Sequence, residues 1–145
     1  METIESERIL LRPLTLEDAG FIVELLNTDG FIKYIGDRNV RNLDQAKTYI
    51  LNGPLKSYET NGFGLSLAEL KSNRMPVGMC GLLKRDYLDH ADIGFAFLPR
   101  YTGKGYAREI VRFIQDLRKE ANYNVDDRIY IHYTIYKVGT IISLR

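Results

Sequence analysis

Cysteine is almost absent from the chain: Cys80 is the only one in 145 residues. An internal disulfide is therefore impossible, which makes the cytosol the expected compartment. No apolar run approaches the length of a membrane span, so a cytoplasmic protein without membrane partners is expected. Residues 1–8 are polar and carry Glu2, Glu5 and Glu7, unlike a secretory signal. An excess of one charge is also missing, since the formal net charge is +1. That balance argues against a nonspecific grip on nucleic acid, which needs a clustered basic surface. Repeats and low-complexity stretches are lacking. His90, His132 and Cys80 show no metal-ligand spacing, so no metal centre is expected. What remains is an ordinary globular composition, 45% hydrophobic and 27% charged. It suits one domain over residues 1–145, able to bury a core without covalent staples.

The chain changes period along its length. Residues 8–14 (RILLRPL) read as a first strand, ending near Pro13. Thr15 is a hydroxyl helix cap with Glu17 and Asp18 in the first turn, where the helix dipole favours acids. Ala19, Ile22, Leu25 and Leu26 follow at helical spacing, and Asp29-Gly30 is expected to end that helix. A second helix is expected after Asn42, with Ala46, Tyr49 and Ile50 inward. Gly53-Pro54 should interrupt it, and residues 55–59 should resume it before Asn61-Gly62 stops it. Residues 63–70, 77–84 and 92–98 then read as three strands with short connections, an antiparallel meander. Residues 105–120 form the clearest helix, with Tyr106, Ile110, Val111, Ile114 and Leu117 on one stripe. Residues 128–136 alternate, placing Ile129, Ile131, Tyr133 and Ile135 on one face of a last strand. Together these elements predict an α+β, or mixed α/β, domain.

The chemistry sits between the third meander strand and the long helix. There a strand runs into a loop with two glycines, and the loop opens the helix. Free backbone N–H groups and the helix dipole make such a start a phosphate site. Gly103 and Gly105 let the backbone approach a diphosphate with no Cβ in the way. Lys104 and Arg108 add charge at the same end. A Walker A loop is excluded because Lys104 lies between the two glycines. A dinucleotide fingerprint fails because position 108 is arginine rather than glycine. Alternatively, Gly103 and Gly105 only shape a strand-to-helix turn.

Residues 92–109 (DIGFAFLPRYTGKGYARE) resemble the GNAT superfamily of acetyl-CoA-dependent N-acetyltransferases, in the branch of ribosomal-protein alanine acetyltransferases. Residues 6–13 (SERILLRP), 34–40 (YIGDRNV) and 77–82 (VGMCGL) extend the resemblance in the expected order. It implies a GNAT-like, mostly antiparallel central sheet flanked by helices. It also implies that the amides of Gly103, Lys104, Gly105, Tyr106, Ala107 and Arg108 hold the pyrophosphate of acetyl-CoA. The strand backbone at Phe95, Ala96 and Phe97 would pair with the pantetheine arm. Thr102 departs from the family, standing where Gln, Arg or Trp is usual.

The implied reaction transfers the acetyl group to a primary amine of a small molecule or a protein N-terminus. A neutral amine attacks the thioester, a backbone N–H steadies the oxyanion, and a carboxylate or water accepts the amine proton. Asp92 stands where relatives often carry such an acid; a solvated strand-entry aspartate is the other reading. His90 reads as a turn residue, His132 as a half-exposed strand residue and Cys80 as a small core hydrophobe. The resemblance fades after about Glu120, so a truncated or diverged C-terminus is expected. Its missing helix and strands would leave residues 128–136 uncovered, which suggests a homodimer through that strand. The loss also raises an alternative, a degenerate coenzyme A-binding module without catalysis.

Overall fold

The computed structural model describes residues 3–83, 92–120 and 143–144, with backbone alone for Asp92, Ile93, residues 114–120 and residues 143–144. In chain order the strands are β1 (Ile4–Glu5), β2 (Ile9–Pro13), β3 (Leu65–Leu70), β4 (Pro76–Leu83), β5 (Asp92–Phe97) and β6 (Ser143–Leu144). The α-helices are α1 (Ala19–Leu26), α2 (Asp29–Tyr34), α3 (Leu43–Ile50), α4 (Lys56–Asn61) and α5 (Tyr106–Glu120). The strands form one sheet in sequence order, and every neighbouring pair is antiparallel. The expected meander is β3-β4-β5, and the five polar-rich residues 71–75 turn the chain from β3 back into β4.

Two apolar clusters place the layers. On one face Leu67, Met79 and Ala96 meet Ile22, Leu25 and Leu26 of α1, Phe31 of α2, and Ala46 and Ile50 of α3. On the other, Ile9, Leu11, Ala68, Cys80, Phe95 and Phe97 meet Ile110 and Val111 of α5. The period-2 alternation of Phe95, Ala96 and Phe97 thus sends side chains to opposite faces, and each face has its own helical cover. Cys80 is fully buried, as a small core hydrophobe should be.

Local chemistry explains the helix starts. Thr15 Oγ1 accepts from the Glu17 N–H at 3.3 Å, and Asp18 Oδ2 accepts from the Thr15 N–H at 2.8 Å. These bonds satisfy donors that a helix start leaves open. Arg12 closes on the same carboxylate with both terminal nitrogens, at 2.9 and 2.7 Å, tying β2 to the entry of α1. Asn42 Oδ1 accepts from the Gln45 N–H at 2.8 Å and caps α3.

One expectation is corrected. Asp29-Gly30 does not end a helix but begins α2, because Thr28 Oγ1 accepts from the Phe31 N–H and caps a new start. Gly53-Pro54 interrupts the α-helix as expected, and the helix resumes as α4 until Gly62, at φ +75°, stops it. Leu51–Leu55 form one wide π turn between α3 and α4, with Pro54 inside it. A wider turn tolerates a residue that has no N–H to donate. β1 has no counterpart in the sequence reading, being only two residues long. His90, His132 and the alternating segment 128–136 lie outside the described residues.

Candidate functional site

β5 and α5 are joined by a tightly wound connection. The Leu98 N–H donates to Val77 O at 2.8 Å, which keeps β5 in register with β4 up to the point of departure. Pro99–Tyr101 make one 3-10 turn, and the Thr102 hydroxyl donates back to Pro99 O at 2.7 Å. Gly103 and Gly105 follow with φ of +76° and +80°, a conformation that side chains with a Cβ disfavour. Helical bonding begins with the Glu109 N–H donating to Gly105 O at 3.0 Å.

The consequence is a row of unused donors. Among the described residues, the backbone N–H groups of residues 103–108 have no protein acceptor. Gly103, Lys104, Gly105 and Arg108 are exposed, and no described carboxylate pairs with Lys104 or Arg108. Exposed amides at the head of a 15-residue helix, with two unpaired cations beside them, could hold an anion.

The strand leading into that site offers a second set of donors and acceptors. The Val77–Leu98 bond fixes which residues of β5 bond to β4. Residues two apart share a direction in an antiparallel pair, so Ala96 and Gly94 direct their backbone groups to β4. Phe95 and Phe97 therefore direct theirs to the opposite edge. β6 covers that edge only beside Ile93 and Gly94. Among the described residues, an extended chain next to Phe95 and Phe97 would meet an open ladder that leads to the glycine loop.

Against the same strand lies a cleft of about 970 Å³, walled by Phe31, Tyr34, Arg38, Asp44, Thr48, Tyr49, Met79 and Ala96 among others. Burial pushes the Tyr49 hydroxyl up, and the nearby Arg38 guanidinium offsets part of that rise. The sequence reading took Tyr49 for a packing residue; its place in a cleft depends on how α3 lies over the sheet.

Asp92 is not part of the anion site. It occupies the first position of β5, opposite Leu83, and the strand carries the chain roughly 17 Å from there to Phe97. Its backbone places it at the far end of the edge from the glycine loop. Among the described residues no group of acidic, histidine or cysteine side chains could hold a metal ion.

One part of the site has no local sequence signal. Glu109, on the first turn of α5, receives the Ser6 hydroxyl at 2.7 Å, the Arg8 N–H at 2.6 Å and the Arg8 Nε at 2.7 Å. Burial alone would raise the Glu109 carboxyl, but these bonds from Ser6 and Arg8 outweigh it and hold it below its ordinary range. The Arg8 guanidinium also donates to Lys104 O at 3.2 Å and lies 4.4 Å from the centre of the Tyr106 ring. About a hundred residues separate the partners in sequence, so neither one advertises the other.

Comparison with known proteins identifies a family for this chain. A family model described as an acetyltransferase (GNAT) domain matches residues 8–133. An uncharacterized N-acetyltransferase of Bacillus subtilis, YoaA, is 26% identical over 110 residues, spanning 74% of this chain and 61% of its own. Another from Bacillus licheniformis, p20, is 29% identical over 119 residues, spanning 80% and 65%. The chain thus covers less than two thirds of the length of either. An acetyltransferase from Agrobacterium tumefaciens superposes with a TM-score of 0.67 at 19% identity, over 83% of this chain and 68% of that one. A self-immunity acetyltransferase in complex with acetyl-CoA and AMP superposes with a TM-score of 0.64 at 13% identity, over 95% and 91%. The sheet, the glycine loop that opens α5 and the family match over most of its length place this chain in the GNAT acetyltransferase family.

Proposed function

We propose that the protein is an N-acetyltransferase that takes its acetyl group from acetyl-CoA and gives it to a primary amine. The observation that carries this reading is the row of unsatisfied amides over residues 103–108, at the head of α5 and continuous with the outward edge of β5. The amides of Gly103, Lys104, Gly105, Tyr106, Ala107 and Arg108 suit a diphosphate. The outward groups of Phe95 and Phe97, flanking Ala96, suit an amide-bearing arm such as pantetheine. Their order along the chain matches the order of those groups in acetyl-CoA, and one solved structure of the same fold carries acetyl-CoA.

The acceptor enters through the cleft on the other side of β5. A small amine or a protein N-terminus fits its open, mixed polar and apolar walls. The amine attacks the thioester carbonyl in its neutral form, and a strand N–H steadies the oxyanion. A carboxylate or a water takes the amine proton, and the C–S bond breaks to release coenzyme A as its thiolate. Asp92 is the carboxylate we assign to that step, directly or through water. The buried, solitary thiol of Cys80 fits a reducing cytoplasm. Pairing of two copies through residues 128–136 is part of the same reading, supported by their alternating pattern and tested by light scattering.

Isothermal titration with coenzyme A and a thiol-release assay over an amine panel together test the reading. Saturable binding with turnover supports it. Binding without turnover on any amine would favour a coenzyme A-binding module, and no binding would return the glycines to a structural turn. Asp92→Asn should lower turnover about a hundredfold or more while leaving coenzyme A affinity unchanged. Unaltered turnover removes Asp92 from the mechanism.

A further inference from the structure

We infer that Arg8 is a positioning residue for the cofactor loop: it orients the Lys104–Gly105 peptide so that the Gly105 N–H faces the diphosphate. This rests on the reading of residues 103–108 as the diphosphate site. The peptide bond is planar and, like every other described here, trans, so its C=O and N–H point in opposite directions. Arg8 Nη2 holds the Lys104 carbonyl at 3.2 Å from the side of the N-terminal strands. The Gly105 N–H is thereby turned the other way, where no described protein group accepts it. Left to itself, a peptide that leads into a glycine in the left-handed region has little to stop it from flipping. A flip would aim a carbonyl oxygen at an anion.

Arg8 is equipped for this task in three further ways. Glu109 receives both its Nε and its backbone N–H, which fixes the guanidinium in place. Tyr106, the first residue of α5, lies against its face. The same carboxylate neutralises its charge, so Arg8 serves by geometry rather than as another cation for the ligand. A Cβ on Gly105 would come within 3.4 Å of Arg8 Nη2, which shows how closely the guanidinium underlies the loop. The arrangement makes the head of α5 depend on the start of β2.

The test compares Arg8→Ala, Arg8→Lys and the unaltered protein, using coenzyme A and pantetheine, which lacks the diphosphate. Calorimetry reads coenzyme A affinity, and amide chemical shifts read pantetheine binding and the Gly105 N–H. Arg8→Ala should weaken coenzyme A about tenfold, the scale of one misdirected hydrogen bond to a charged group. Pantetheine affinity should change less than about twofold, because its contacts lie on β5. Arg8→Lys keeps the charge but cannot reach Glu109 and Lys104 O together. It should therefore recover the melting temperature without recovering coenzyme A affinity, and it decides the matter if Arg8→Ala does not fold. Coenzyme A binding unchanged in either folded variant overturns the inference while the loop reading stands. Equal losses for both ligands also overturn it, since they would show general loosening. An unaltered protein that binds pantetheine but not coenzyme A overturns the loop reading itself.

Discussion

At φ +80°, Gly105 occupies a backbone region that a β-branched residue enters only with strain. Gly105→Val should therefore abolish coenzyme A binding, and it should cost about 1–3 kcal/mol of stability in the free protein. Calorimetry and urea unfolding of the same sample separate the two effects. A variant that folds and binds normally would remove the loop from the site. Cys80 makes the opposite case, of a reactive residue type with no chemistry to do. Burial raises its thiol well above the ordinary value, and no side-chain surface reaches solvent. Alkylation by iodoacetamide should be undetectable at neutral pH in the folded protein and prompt in denaturant. Rapid labelling without unfolding would contradict the described packing of β4.

Among the elements, α1 and α5 are both anchored by a buried or half-buried carboxylate that an arginine from the N-terminal strands holds. Burial would raise Asp18, yet the Arg12 fork and the Thr15 bonds hold it below its ordinary range. Glu109 is lowered in the same way by Ser6 and Arg8. A carboxyl lowered in the folded state binds its proton less readily there than in the unfolded chain. Its stabilising share is therefore complete above the ordinary carboxylate range and is lost as pH falls through that range toward the folded value. The urea midpoint should be flat from neutrality to about pH 5 and fall steeply below it. Asp18→Asn should lower the midpoint at neutral pH and flatten the acid slope. An unchanged slope would show that other carboxyls dominate acid unfolding. The element scale also shows which readings were legible. Thr15 and Asn42 declare helix starts because their side chains cap the next turn. Gly53-Pro54 declares the interruption between α3 and α4, because a π turn can absorb a proline that an α turn cannot.

For the whole molecule, a ligand that spans the β5 edge and the head of α5 should join elements that are separate in the chain. Coenzyme A at a hundredfold excess over its dissociation constant should add about 2.7 kcal/mol by mass action. For a chain of this size that corresponds to roughly 6–10 °C in melting temperature. No shift at saturating ligand would remove the proposed cofactor site. A matching shift with pantetheine alone would place the binding energy on the strand edge rather than on the loop amides.

The sequence by itself determined the elements and the loop. The period change at residues 63–98 declared the β3-β4-β5 meander, and the glycines at 103 and 105 declared a helix start suited to an anion. Both signals are local, since strand alternation and left-handed glycine turns are set by residues within a few positions of one another. Only the tertiary structure decided what those elements face. It set the glycine loop on Arg8 and Glu109 and gathered Arg38 and Tyr49 into a cleft. It also placed Asp92 at the opposite end of β5 from the loop. The physical reason is that such contacts depend on how helices and strands pack across the sheet. A side chain at position 8 has no short-range pattern that names a carboxylate at position 109.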